Sequence, residues 1–467
     1  MRRASLMLPV IITRRAAMML PVIIAAGCAV PRQAGFDDVA RKLAGRTDYR
    51  VHWKSGGPED RAIADETRRL LAQELTVATA TQIALFGNPE LQATYERLGV
   101  AQADVVQAGL LRNPHISLHY GFNVFGGGVD ELLGSVTGAF LDLFLMPLKK
   151  KLARAELRRV QLEVGDAVLQ KAHAVAQAFY SVQAATELVA MRRTLLEAQQ
   201  AATELALRQH EAGNVSELEL SGQQAAYVEA RIELNRAQSQ QLGEREKLTR
   251  LLGVWGSDVD YRVAPTLPEL PPNEPELAHL ERVAIAHRFD LAAANEELAS
   301  ASAAVQLVKG TRALGGFDPG VNAHRDPDGP VTVGPTIDLE LPIFDQKQAE
   351  LARLRASLRA AQYRADGVAL AVRSEVRDAR NRLLATRAAI EDYRRALLPL
   401  RERIVALSQE QYNAMLLGVY QHIAAKQSET NTYREYIEMV RDYWIARADL
   451  ERAIGTRLDP IGQGEAP

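Results

Sequence analysis

The chain has 467 residues, a formal net charge of −2, 47% hydrophobic and 24% charged residues. That composition excludes wholesale disorder, and the lack of a basic excess excludes a general nucleic-acid binder. One cysteine, Cys28, excludes an intrachain disulfide framework, a Cys-ligated zinc site and a CxxC redox pair; beyond Val30 no apolar run reaches the ~20 residues of a membrane-spanning helix.

The first thirty residues read as a targeting segment. The string MLPVII occurs at Met7–Ile12 and again at Met19–Ile24, and Arg2, Arg3, Arg14 and Arg15 precede the two apolar runs. A positive stretch followed by a short apolar one is a secretory signal, assigned here to residues 1–27. Ala25-Ala26-Gly27-Cys28 resembles the bacterial lipoprotein cleavage signal, with Ala25 where Leu is usual. The resemblance implies that Cys28 becomes the lipidated first residue of the mature chain, heading an N-terminal periplasmic segment over 28–87. Ala29 follows instead of the Asp that retains lipoproteins in the inner membrane. The alternative for Cys28 is an incidental or buried thiol.

Next comes a duplication. Leu91–Val105 and Leu291–Val305 share seven identical pairs at an offset of 200, among them Leu91/Leu291, Glu96/Glu296 and Val105/Val305. Asp142–Leu145 matches Asp338–Leu341 at 196, and Ala212 matches Ala414 at 202. Points in one order at one spacing indicate a duplicated unit, assigned to 88–273 and 274–456, with 457–467 as a tail. Each unit reads as an Ala-rich helix, two short strands, a very long helix, a turn and a returning helix. Leu148–Ala212 is 65 residues without proline and with only Gly165 as glycine, about 100 Å if helical throughout. Long helices are expected over about 148–253 and 345–455. Met191, Leu195, Ala198, Ala202 and Leu205 form a seam that packs helix on helix. Pro399 predicts a kink or break, because proline removes a hydrogen bond and clashes with the preceding turn.

The strands carry the strongest period. From His115 to Val124 every even position is apolar (Ile116, Leu118, Tyr120, Phe122, Val124) and every odd one polar or glycine. Val331–Leu341 repeats the pattern, with Thr332, Thr336, Asp338 and Glu340 on the wet face. One apolar face and one wet face over about ten residues is what a membrane barrel strand requires. The four strands are expected over about 115–124, 136–146, 317–325 and 331–342, with a bulge or local break at Pro335. His115, Ser117, His119, Asp338 and Glu340 are the expected lumen-facing residues. Two hairpins of a soluble sandwich are the alternative. Four strands cannot close a barrel, and open strand edges cannot face lipid, so strands in a membrane imply several chains sharing one barrel.

No site for bond chemistry is evident. There is no GxxxxGK[ST] and no HExxH. His115 and His119 share a strand face about 13 Å apart, too far to hold one metal directly. The expectation is a non-enzyme with no cofactor and no bound metal. Asp142 and Asp338 are read as equivalent positions near strand-to-helix junctions, each an ion-selecting charge, a favourable helix N-terminal charge or a solvated one.

Several strings together carry a resemblance: Asn88–Leu91, LGVAQADVVQAGLLRNP at Leu98–Pro114, HRFDL at His287–Leu291, DLELPIFDQKQAELARLRA at Asp338–Ala356 and YNAMLLGVYQ at Tyr412–Gln421. In that order, and duplicated, they resemble the TolC-like outer-membrane efflux protein family over about residues 60–456. The resemblance implies a mostly α protein with a membrane β-barrel contribution. Its parts would be four strands per chain, a trimeric twelve-stranded barrel and a periplasmic α-helical tunnel. It implies a homotrimer in outer-membrane lipid that meets a periplasmic adaptor and, through it, an inner-membrane transporter, as the passive exit duct of a tripartite efflux pump. The Tyr412–Gln421 string is similar to members linked to heavy-metal resistance. The periplasmic tips fall at Gly213, Asn214, Val215 and Ser216 and at Leu416, Leu417, Gly418 and Val419. They are read either as plain reversals, glycine allowing the tight turn, or as an apolar docking site for the adaptor. Family members often carry aspartates past the second tip. Here Tyr420, Gln421 and His422 stand there, so Glu217, Glu219, Tyr412, Tyr420 and His422 are the gate candidates. A periplasmic structural or adaptor coiled-coil protein, and the same channel used for type I protein secretion, are the alternative functions.

Overall fold

Helices dominate because alanine, leucine, arginine and glutamate fill long proline-free stretches with good helix formers. In the computed structural model, which describes residues 30, 33–121, 131–138, 141–274, 277–312, 317–325 and 330–458, the chain opens with α1 (Phe36–Ala44), α2 (Pro58–Leu71), β1 (Glu74–Leu75), α3 (Val77–Gly87) and α4 (Pro89–Gln107). There follow β2 (His115–Gly121), β3 (Glu131–Thr137), α5 (Leu141–Glu211), α6 (Glu217–Leu252) and β4 (Arg262–Val263). The second half runs through α7 (Leu280–His287), α8 (Phe289–Thr311), β5 (Phe317–Arg325), β6 (Val331–Leu339), α9 (Gln348–Asp392), α10 (Leu398–Asn413) and α11 (Val419–Ile454). Among the described residues no helix is long and apolar enough to cross a membrane. The signal segment and Cys28 lie outside the described residues.

The chain divides into two compact units, the first built on Glu96–Gln161 and Ala293–Ala365, the second on Asp38–Tyr95, Leu162–Ala292 and the chain from Asp366 on. The first unit carries one antiparallel sheet in the order β2-β3-β5-β6. Three expectations are corrected there. The second strand is Glu131–Thr137, not 136–146; the apolar run from Leu141 is the first turn of α5, because a short apolar run without a period serves a buried strand or a helix equally well. Asp142 is therefore helical while Asp338 lies in β6, so the two are not equivalent and the 196 offset was a chance match. Pro335 causes no break: it pairs with Val321 within β6, an edge strand that needs no second ladder of N–H donors. β2 ends at Gly121, short of residues 122–124, which are not described, and β6 ends at Leu339.

The second unit shows the duplication in its packing. In the first copy Ile83 and Ala84 of α3, Val175 and Phe179 of α5, and Leu248 and Leu252 of α6 form one core. In the second copy Leu280 and Ala284 of α7, Val372 and Val376 of α9, and Tyr443, Leu450 and Ile454 of α11 form another. Each large apolar side chain taken fully out of water contributes about 1.5–3 kcal/mol. Because α3 packs as α7 does, the duplicated unit begins before Asn88, ahead of the boundary expected at 87.

The joint between short and returning helices is also repeated. The Asn88 amide donates to the Leu251 carbonyl at 2.9 Å and the Arg250 carbonyl at 3.3 Å. Gly253 caps α6 with φ 72°, and a Cβ there would sit 2.8 Å from the Asn88 Cα. In the second copy Arg288, 200 positions on, donates to the Ala453 carbonyl at 3.4 Å, and Gly455 takes the glycine's place with φ 73°. Both helix ends thus have their orphan carbonyls filled from the other half of the same repeat. A two-residue parallel pair, Glu74–Leu75 with Arg262–Val263, completes the unit.

The break expected near Pro399 takes a definite form. Tyr393–Leu397 is a single π-helical turn between α9 and α10. Pro399 has no N–H to return to Arg395, and widening the turn just before it keeps the helix continuous.

Candidate channel wall and helical tips

Directly opposed residues of an antiparallel sheet share a face, so the register assigns both faces without appeal to side-chain contacts. One face carries the rows Ile116–Val136–Val321–Pro335 and Leu118–Gly134–Ala323–Val333, with Tyr120–Leu132–Arg325–Val331 above and Pro319–Ile337 and Phe317–Leu339 below. The other carries His115–Thr137–Gly320–Thr336, Ser117–Ser135–Asn322–Gly334, His119–Leu133–His324–Thr332 and Asp318–Asp338. The two-residue period read in β2 therefore holds across all four strands, giving an apolar face broken only by Arg325 and a polar face broken only by Leu133.

His115, Ser117, His119 and Asp338 all stand on the polar face and are exposed. The Ser117 and Ser135 hydroxyls are 2.7 Å apart across β2 and β3. Glu340 lies one residue beyond β6 and so leaves the wall. The apolar face is exposed as well, Leu118 to 75% and Val333 to 68%. Among the described residues β2 and β6 each have one strand neighbour only, which leaves both sheet edges open.

Below the sheet, α5 starts with a charge cluster that sequence reading did not assemble. Asp142 is buried and accepts from Arg112 Nε at 2.5 Å and Lys149 Nζ at 2.7 Å. The Arg112 and Lys149 hydrogen bonds hold its carboxyl below the usual carboxylate range, while Asp142 raises the Arg112 guanidinium. The acid also sits in the first turn of α5, where the helix dipole favours it. Among the described residues no three His, Cys, Asp or Glu side chains converge on a metal position.

The two tips are built alike, 202 residues apart. In the first, Gly213 turns the chain with φ 76°, donating to the His210 carbonyl at 2.8 Å, and Asn214 N–H returns to Gln209 at 2.9 Å. Ser216 then caps α6: its backbone N–H donates to the Glu219 carboxylate at 3.1 Å, and its hydroxyl accepts from Glu219 N–H at 3.3 Å. His210 Nδ1 lies 2.9 Å from the Val215 carbonyl, and its Nε2 lies 3.1 Å from Glu217. In the second tip the reversal falls on Met415, with φ 58°, not on Gly418. Met415 donates to Tyr412 at 2.9 Å and Leu416 to Gln411 at 2.8 Å. Gly418, in extended backbone, occupies the cap position of Ser216, and Gln421 accepts from its N–H at 3.2 Å. A left-handed conformation costs a methionine about 1–2 kcal/mol relative to glycine.

The gate candidates divide accordingly. Glu219 is committed to the cap and Glu217 faces His210. Tyr412 stacks on His422 with ring centroids 6.2 Å apart, and His422 is hydrogen-bonded to Ser408 at 2.8 Å, so both are packed within the second hairpin. Burial, and then the charge of Glu219, push the Tyr420 phenol up. The exposed apolar tip consists of Leu218, Met415 and Leu416, with Leu417 and Val419 half-buried.

The fold is a duplicated strand-pair and helical-hairpin unit whose two-faced sheet is open at both edges among the described residues. Residues 80–254 match the model of the outer membrane efflux protein family. The structure is similar to CusC, with 16% identity and a TM-score of 0.68 over 82% of this chain and 92% of that one. It is similar to CmeC of Campylobacter jejuni at 14% identity and TM-score 0.71, over 81% and 85%. VceC of Vibrio cholerae gives 17% and 0.68, over 84% and 97%. No curated protein sequence matches the chain. The resemblance to the TolC-like outer-membrane efflux protein family therefore holds: the family signature occupies most of the first repeat, and the fold of its channels extends through both.

Proposed function

We propose that the chain is the outer-membrane duct of a tripartite efflux pump, carrying small solutes, drugs or metal ions, passively from periplasm to exterior. The supporting observation is the sheet: apolar on one face, polar on the other, with the β2 and β6 edges unpaired. In lipid each unpaired backbone group costs several kcal/mol, so the edges must join those of other copies. Three copies of four strands make a closed barrel of twelve, with the long helical hairpins on the periplasmic side. Cys28, acylated, anchors residues 28–87 to the membrane. Transport by such a duct needs no reacting group; the energy comes from an inner-membrane transporter, reached through a periplasmic adaptor.

Crosslinking in isolated outer membranes tests the assembly. The ladder is expected to stop at three copies, and the purified species to form a conducting pore in planar bilayers. A stable membrane-embedded monomer, or a chain found wholly in the soluble fraction, overturns the reading. The anchor has its own measurement: Cys28→Ser is expected to abolish palmitate incorporation and slow signal processing, and undiminished labelling rejects it.

Docking of the adaptor is assigned to the apolar tip. Gly213 has a positive φ and Leu417 is half-buried, so substitution at either disturbs the turn as well as the surface. Leu416→Asp, at a side chain 79% exposed, is the cleaner change. It is expected to leave the trimer intact and to lower both adaptor crosslinking and efflux. Full efflux from a well-expressed Leu416→Asp, Leu218→Asp double variant leaves the tips purely structural.

A further inference from the structure

The second unit holds a half-open cavity of about 100 Å³ between the segment after α1, α3, the middle of α5 and the C-terminal end of α11. Its walls are of two kinds. Leu169, Ala176 and Ala448 supply an apolar side, and Arg46, Arg452 and Arg457 supply cations, with the His173 ring beside them. Two of these polar groups already have partners. Arg457 pairs with Asp48, and His173 lies 2.7 Å from Asp449. Glu451, the carboxylate on the wall, accepts the Leu458 N–H at 3.4 Å.

Arg46 and Arg452 differ. Arg46 lies 3.8 Å over the Phe289 ring and donates only to backbone, to the His287 carbonyl at 2.9 Å and the Lys42 carbonyl at 3.0 Å. Arg452 acts on a carboxylate only at longer range, on the half-buried Asp166. Among the described residues neither is ion-paired. A half-buried guanidinium held by carbonyl oxygens alone is an unbalanced charge, and burial lowers the Arg46 guanidinium as that predicts. A guanidinium fork is matched in shape and charge by an oxyanion. The apolar part of the wall suits a short hydrocarbon stem on that oxyanion.

We propose that this cavity binds a small aliphatic monocarboxylate, its carboxylate on Arg46 and Arg452 and its chain against Leu169 and Ala176. The site lies within one chain and does not depend on the channel reading. Saturation-transfer NMR with butyrate on the detergent-solubilised full chain tests it. Butyrate is expected to bind saturably in chloride buffer, acetate to compete, and inorganic phosphate to compete no better than chloride at equal ionic strength. Loss of one charge-assisted hydrogen-bond partner is expected to weaken binding about tenfold or more. Arg452→Gln, an exposed position, reads this without disturbing the core. Arg46→Lys reads it again with the charge kept and the fork removed, and helical circular dichroism confirms that both variants fold. No saturable butyrate signal, undiminished binding in Arg452→Gln, or phosphate displacing butyrate as well as acetate does, overturns the proposal.

Discussion

Leu118→Arg together with Val333→Arg is expected to abolish the outer-membrane trimer, whereas His119→Arg together with Thr332→Arg leaves it assembled. The two pairs are one residue apart in β2 and β6 and are exposed in the single chain. Chain-level burial therefore predicts no difference between them. The difference arises only if the apolar face meets hydrocarbon. An arginine on the lipid face of a barrel costs about 2–4 kcal/mol at mid-depth. Two per chain, repeated in three copies, cost about 12–24 kcal/mol, which matches or exceeds the 5–15 kcal/mol by which ordinary folds are stable. The same charge on the polar face stays in water and shifts ion selectivity instead. Heat-modifiable mobility of membrane fractions measures assembly, and bilayer reversal potentials measure selectivity. Equal assembly of both variants removes the membrane assignment of this sheet.

How much of this was legible varies with the strength of the local period. β2 and β6 were readable because alternation over several residues has no helical counterpart. β3 was not, because Glu131–Thr137 does not alternate cleanly, with Leu132 and Leu133 adjacent, while the apolar start of α5 nearby looked more strand-like. The π turn was foreshadowed by Pro399, but its width was not. Both tips were located by the 202 offset. The residue that takes positive φ was missed, since glycine at 418 drew attention from Met415, the true register partner of Gly213. Asn88 and Arg288 were quoted in motifs without a role. Their role depends on helix ends more than 160 residues away in sequence, and only pairing them at offset 200 hints that they do the same work.

That pairing yields the other large effect. Arg288→Met is expected to lower the melting temperature of the helical signal by on the order of 10 °C, and Asn88→Ala to lower it by an amount that does not change with pH. The positions are equivalent in the repeat, and each fills carbonyls at the end of a returning helix. Asn88 is neutral, so its loss forfeits hydrogen bonds at about 1 kcal/mol each. Arg288 is only 9% exposed and also pairs with Asp290 at 2.6 Å and with Glu375. Removing it leaves the partly buried Asp290 uncompensated, a change that costs about 3–5 kcal/mol where a buried pair is broken. The pH dependence separates this from simple loss of packing. Burial pushes the Asp290 carboxyl up, but the hydrogen bonds and charge of Arg288, with the Leu291 N–H, hold it below its ordinary range. Its contribution in the parent chain is thus present above the ordinary carboxylate range and is lost as pH falls through the lowered value. In the variant burial is opposed only by backbone N–H groups such as that of Leu291, so the carboxyl rises and protonation at low pH relieves the defect. The gap between parent and Arg288→Met is therefore expected to narrow as pH falls from the raised carboxyl of the variant through the lowered one of the parent, while the gap for Asn88→Ala stays constant. A gap for Arg288→Met that is independent of pH shows that the arginine acts only by filling space and capping the helix, and that its pairing with Asp290 adds nothing to stability.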